Sequence, residues 1–104
     1  MRERVKALRG EDARAFCTRL WLELTITGRL IWSDESLDQA TQLNALKWLN
    51  EIQHRVWGAY SSDNSNALER MLDQVIAHCD NAQVLRPHVR VALDRSLAAV
   101  TSTG

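Results

Sequence analysis

The sequence predicts an all-α fold, a compact four-helix bundle with up-and-down helices and short loops, on the basis of two observations. Only one proline and four glycines occur in 104 residues, whereas a β-rich domain of this size needs more turn residues. Apolar residues recur at helical spacing, and this pattern is interrupted at three places, residues 33–36, 58–66 and 80–87. Three interruptions separate four helices.

The domain organisation follows from the length and from the lack of a long linker. A chain of 104 residues forms one domain, and its 45% hydrophobic content is enough for a core. We expect a basic arm or a short helix over residues 1–10, a single four-helix domain over residues 11–100, and a frayed tail over residues 101–104.

The first long helix is predicted over residues 11–32. Its acidic pair, Glu11 and Asp12, suits the positive end of the helix dipole. One face carries apolar residues at the spacing of a buried helix stripe, and we expect this face in the core. Its members are Ala13, Phe16, Cys17, Leu20, Leu24 and Ile31.

The second long helix is predicted over residues 37–57. Ser36 and Gln39 have the spacing of a capping box, which satisfies free N–H groups at a helix start, and Gly58 is a suitable stop. The predicted inner face consists of Ala45, Leu49, Ile52 and Val56, with Leu46 and Trp48 at its edges.

The third helix has the clearest apolar pattern, and both the third and the fourth helix have a recognisable start signal. The polar residues 61–66 precede the third helix, and Pro87 suits the first turn of the fourth. The predicted buried stripe of the third helix is Leu68, Met71, Leu72, Val75, Ile76 and Cys79. That of the fourth helix is Val89, Ala92, Leu93, Leu97 and Val100.

Composition and motifs argue against several classes of function. Thirteen basic and thirteen acidic residues give a net charge of zero, which does not favour a nucleic-acid binder. No apolar run reaches about 18 residues, and the first residues do not resemble a signal peptide. Two cysteines form no disulfide framework, so we expect a reduced, cytoplasmic protein. Phosphate-loop, nucleophile-elbow and zinc-protease motifs are missing, so we expect a non-enzymatic protein without a cofactor.

The most informative feature is a surplus of apolar residues outside the predicted core. The first long helix is apolar on nearly all sides, although a helix in a four-helix monomer needs only one buried stripe. Gly28 lies on an intermediate face, where a close neighbour could pack. Tryptophan is enriched at binding hot spots, and this chain has four. We therefore expect a homodimer or a protein-partner interface formed by Trp21, Leu22, Ile26, Leu30, Trp32, Trp57 and Tyr60.

Two alternative functions start from other residues. Glu51 and His54 have the Glu-x-x-His spacing of di-iron carboxylate bundles, and a homodimer would supply two copies, with Glu23 as the extra carboxylate. Both residues lie far from the predicted core direction, about 130° and 170° from it, so we expect them to point outward. They belong to a polar set whose role, binding epitope or ordinary surface, stays open: Lys47, Asn50, Glu51, His54 and Arg55.

The second alternative is a small DNA-binding regulator. Its candidate contacts are basic residues of the fourth helix and of the N-terminal arm, which phosphates would attract. They are Arg86, Arg90 and Arg95, together with Arg2, Arg4, Lys6 and Arg9. This hypothesis predicts duplex binding that weakens steeply as salt is added.

Overall fold

The computed structural model describes residues 1–62, 64 and 66–101, and this part of the chain contains helices and no β-strand. The all-α prediction is confirmed, whereas the up-and-down four-helix order stays a prediction. The described helices are α1 (Arg2–Lys6), α2 (Gly10–Trp32), α3 (Gln39–Tyr60), α4 (Ala67–Cys79) and α5 (Arg86–Thr101), with a 3-10 turn, Gln83–Leu85, directly before α5.

Helix α2 is the central element, because it packs along both α3 and α5, while α4 packs against α3 and α1. Gln42, near the start of α3, donates hydrogen bonds to the carbonyl oxygens of Ile31 and Trp32 at the end of α2. Farther along α3, Gln53 donates to the carbonyl oxygen of Trp21. Helix α3 therefore runs antiparallel to α2.

The predicted core faces of the long helices are buried with three exceptions. Ala13 and Val100 are only partly buried, and Ile76 is 43% exposed. Ile76 lies at the edge of the α4 stripe, and since α4 packs mainly against α3 and α1 and only slightly against α5, this edge stays accessible to solvent. The prediction that Ile76 is a core residue was therefore wrong.

The boundaries of α3 differ from the prediction at both ends. The residue that caps its start is Asp38, whose carboxylate accepts a hydrogen bond of 2.7 Å from the Thr41 backbone N–H. The predicted capping box at Ser36 is wrong, because the backbone N–H of Ser36 instead bonds the Asp34 side chain within the preceding turn. At the other end the helix continues through Gly58 to Tyr60.

The first ten residues contain the short helix α1, which packs on α4 through Val5 and is followed by the buried Leu8. Gly10 begins α2 with a φ of 57°, a left-handed conformation that glycine adopts without strain. Of the predicted tail, Thr101 is the last residue of α5 and the other three residues lie outside the described ones. Within the described ranges, every helix is too short or too polar to cross a membrane.

Candidate functional site

All seven residues predicted to bind a partner lie at the surface. Their exposed fractions range from 37% for Tyr60 to 65% for Trp32. Leu43 on α3 and Val91 on α5 are further exposed apolar residues that the predicted set did not include. The surplus of apolar residues in the sequence thus corresponds to exposed side chains, most of which lie in or beside two places on the surface.

The first place is a groove between α2 and α3, called here the α2–α3 groove, with a volume of about 560 Å³. It brings together four of the seven predicted residues, Trp21 and Leu22 from α2 with Trp57 and Tyr60 from α3. The remaining lining residues were not predicted as site residues, although Asn50 and His54 belonged to the undecided polar set. They are Cys17, Thr18, Asn50, Gln53, His54 and Val56.

The side chains of the α2–α3 groove are held by packing and hydrogen bonds. The rings of Trp57 and Tyr60, one helical turn apart, stack with centroids 5.4 Å apart and planes 13° from parallel. The Gln53 amide donates to the Trp21 carbonyl oxygen at 3.2 Å and to the Thr25 hydroxyl at 3.0 Å. Cys17 is buried, and this burial raises the pKa of its thiol to about 11, so the thiol is neutral near pH 7.

The second place is a row on the outer side of α2, called here the α2 stripe, formed by Asp12, Ala15, Arg19, Leu22, Ile26 and Arg29. All six residues are exposed. The steps between them alternate between three and four residues, which is the spacing of a coiled-coil seam. Leu30 flanks the stripe, and Leu22 borders the α2–α3 groove as well. Trp32 belongs to neither place.

Glu23, the extra carboxylate of the metal hypothesis, has an environment that the sequence did not reveal. Its side chain is only 7% exposed, and it contacts two arginines, Arg19 Nε at 3.0 Å and an Arg95 guanidinium nitrogen at 3.8 Å. The pair with Arg19 has the spacing i,i+4 and was readable in the sequence, but the contact with α5 depends on the fold. Glu23 therefore links α2 to α5.

Gly28 admits a close neighbour, as predicted, and that neighbour is α3 of the same chain. A Cβ atom added to Gly28 would lie 3.3 Å from Leu49 Cδ2, which is tighter than most contacts of this kind. The lack of a side chain at Gly28 thus allows α2 and α3 of the same chain to approach closely. The close neighbour at this position is therefore α3 and not a second molecule.

The residues of the metal hypothesis do not form a site within one chain. Glu51 is half-buried and His54 exposed, and Glu23 is engaged by its two arginines. In the parts of the chain that the structure describes, no three His, Cys, Asp or Glu side chains are grouped to hold a metal ion.

The basic residues of the DNA-binding hypothesis are partly neutralised by neighbouring acids. Arg2 contacts Asp73 at 2.5 Å, Arg86 contacts Asp80, and Arg95 approaches Glu23. These acidic partners repel phosphate, so the arrangement does not favour a phosphate-binding face.

Since comparison with known proteins does not indicate a function, the function has to be argued from the surface of this chain. Neither a protein-family model, nor a curated protein, nor a solved structure matches this chain. The α2 stripe and the α2–α3 groove are therefore the features from which a function can be argued. One is an elongated face suited to another helix, and the other is a concave site suited to a smaller group.

Proposed function

We propose that this protein is a small, non-enzymatic interaction module that associates with a second copy of itself through the α2 stripe. The proposal depends on one observation: α2 exposes apolar residues at coiled-coil spacing, with Leu22 and Ile26 about half exposed at its centre. Contiguous exposed apolar surface on a protein marks an interaction site or an aggregation liability. Pairing two copies would cover these side chains.

The charges at the two ends of the α2 stripe favour a second copy of this chain as the partner, with its α2 helix antiparallel to the first. The stripe begins with Asp12 and ends with Arg29. When two α2 helices lie antiparallel, Asp12 of each copy comes opposite Arg29 of the other, and the helix dipoles also oppose one another favourably. A parallel arrangement would place like charges side by side.

The same register gives each large apolar residue of the α2 stripe a partner that covers it. Because the midpoint of the pairing lies between Leu20 and Trp21, Ile26 of one copy packs against Ala15 of the other, and Leu22 packs against the Arg19 stem. The Arg19 head group is held by Glu23 along its own helix, so its aliphatic part is available for packing. The pairing is isologous, so each of these contacts occurs twice.

A charge-reversal series tests this proposal, with molar mass measured by light scattering on a sizing column over a range of concentrations. We expect wild-type protein near twice 11.8 kDa. Asp12→Arg and Arg29→Asp should each raise the dissociation constant about tenfold or more, because each places two like-charge pairs in the interface. The double variant should restore association. Wild-type protein that stays monomeric would disprove self-association, and a double variant no better than the singles would disprove the antiparallel register.

A matched pair of variants tests whether association depends on the α2 stripe or on any exposed apolar residue. Ile26 on the stripe and Leu43 on α3 are 49% and 51% exposed, so both accept glutamate without disturbing the core. Ile26→Glu should give a monomer with unchanged helicity by circular dichroism, whereas Leu43→Glu should leave the dimer intact. Equal effects of the two variants would contradict the assignment of the interface to α2.

A further inference from the structure

The α2–α3 groove has the size and wall composition of a small-molecule site. Its volume of about 560 Å³ falls within the range of roughly 300–1,000 Å³ that ligand pockets occupy. Trp21 stands on the α2 side, and the stacked Trp57 and Tyr60 stand on the α3 side. Because Trp57 and Tyr60 already hold each other in place, a planar ring can stack on them at little cost in side-chain entropy.

The lack of charged residues in the described wall of the α2–α3 groove limits the class of ligand that it can bind. Among the described residues that line it there is no Asp, Glu, Lys or Arg. The Cys17 thiol is neutral near pH 7, since burial raises its pKa to about 11. An anionic ligand would therefore lose hydration without gaining a fixed opposite charge, which disfavours anions.

Polar groups on α3 supply a limited number of hydrogen bonds. The Gln53 amide nitrogen is occupied by the Trp21 carbonyl and the Thr25 hydroxyl, so its carbonyl oxygen is the part of the group left to accept a bond. Asn50 and His54, on the same side of α3, offer further donors and acceptors. A few placed polar groups in an apolar site orient a ligand rather than provide most of its binding energy.

From these observations we infer that the α2–α3 groove binds a planar aromatic molecule without negative charge, stacked between Trp21 and the Trp57–Tyr60 pair. This binding activity is separate from the proposed self-association, because most of the groove wall belongs to α3 and the α2 stripe lies on α2. Leu22 alone belongs to both places.

Fluorescence titration with two naphthalene probes tests the inference. N-phenyl-1-naphthylamine is uncharged and brightens in apolar surroundings, whereas 1-anilinonaphthalene-8-sulfonate is a related molecule that carries a negative charge. We expect saturable binding of the uncharged probe with about one site per chain, and binding of the sulfonate at least about tenfold weaker. No saturable signal, or equal affinity for both probes, would overturn the inference.

The chain offers a matched pair of tryptophan variants for this titration. Trp57 and Trp32 are 61% and 65% exposed, so neither is needed for the core, but only Trp57 lines the groove. Trp57→Ala should weaken the uncharged probe about tenfold, and Trp32→Ala should leave its affinity unchanged. Thr18→Trp, which adds an indole to an exposed position in the groove wall and so takes up part of its volume, should also weaken binding. Equal loss in the two alanine variants would show non-specific adsorption to exposed indoles.

The Ile26→Glu variant distinguishes failure of this inference from failure of the proposed function. It is designed to separate the two copies while leaving the groove residues unchanged, so it should bind the uncharged probe with wild-type affinity. Loss of probe binding in that variant, with the helicity retained, would place the probe at the dimer interface and overturn its assignment to the α2–α3 groove.

Discussion

The contribution of Glu23 to the stability of the protein depends on its environment in the fold. It is a buried carboxylate at the edge of the α2 core face. A buried carboxylate is stable only when it is hydrogen-bonded or paired, and here two arginines supply that pairing. Both arginines remain about half or more exposed, so water still reaches them when Glu23 is changed.

We therefore predict that Glu23→Gln lowers the free energy of unfolding by about 1–2 kcal/mol, somewhat less than a hydrogen bond to a buried charged group contributes, because both arginines are exposed to solvent. The loss stays below that of a fully buried ion pair because the remaining arginine charges are hydrated. Urea unfolding measures the change, with the exposed Glu35→Gln as the control. A Glu23→Gln variant as stable as that control would show that the pairing with Arg19 and Arg95 contributes no stability.

At the scale of helices, one glycine lies where α2 and α3 approach each other closely, while a second glycine has open space around it. A Cβ at Gly28 would press on Leu49, whereas a Cβ at Gly58 meets nothing within 4 Å. Both positions are helical, so alanine brings the same gain in helix propensity at each.

We predict that Gly58→Ala raises the free energy of unfolding by about 0.5–1 kcal/mol, the usual difference between glycine and alanine in a helix. Gly28→Ala should gain clearly less, because Leu49 must move by a few tenths of an ångström to admit the methyl group. Thermal and urea unfolding of the two variants, measured in parallel, test the difference. Equal gains would mean that α2 and α3 are not in close contact at Gly28.

The start of α3 gives a pH-dependent prediction. Hydrogen bonds from Thr41 to the Asp38 carboxylate lower the pKa of Asp38 below its ordinary value of 3.8. Because the pKa is lower in the folded protein than in the unfolded chain, the contribution of this cap to stability is fully present above pH 3.8. It is lost as the pH falls through the lower, folded value.

We expect Asp38→Ala to destabilise the protein at pH 7 through loss of the cap, and Asp38→Asn to destabilise it much less, because asparagine also caps helices well. The difference between wild type and Asp38→Asn should shrink as the pH falls below 3.8, when the aspartate becomes protonated. Unfolding curves at several pH values provide the test. An Asp38→Ala variant as stable as wild type would contradict the role of Asp38 as the cap.

For the whole molecule, the first residues are part of the fold even though the sequence there is strongly charged. Val5 is fully buried and Arg2 forms exposed ion pairs with α4. Exposed pairs contribute little, since solvent screens them and both side chains lose conformational freedom. Burial of Val5 is thus the contact that should hold α1 on α4.

We accordingly predict that Val5→Ala lowers the free energy of unfolding by about 2 kcal/mol, through two lost methyl-sized groups and the cavity that they leave. Arg2→Ala, the control, should change it little. Hydrogen exchange in α1 should rise in the Val5→Ala variant and stay near wild type in the Arg2→Ala variant. The opposite ranking would mean that charge, and not apolar burial, retains α1.

The sequence by itself determined the helical class, the approximate positions of the four long helices and most of their buried faces. These features depend on local spacing: residues such as Leu68, Met71, Leu72 and Val75 must share one side of any helix that contains them. It also identified the exposed apolar side chains of α2, because one helix cannot bury both of its sides in a small bundle.

Only the tertiary structure decided how those faces meet. The groove that joins Trp21 with Trp57 and Tyr60 needs α3 to lie antiparallel to α2 in one register, and the burial of Glu23 needs α5 to bring Arg95 alongside. Ile76 also shows this dependence, since its spacing is that of a core residue but its side chain is 43% exposed in the folded chain. Helical periodicity states which residues share a face, whereas the packing of other helices decides what each face contacts.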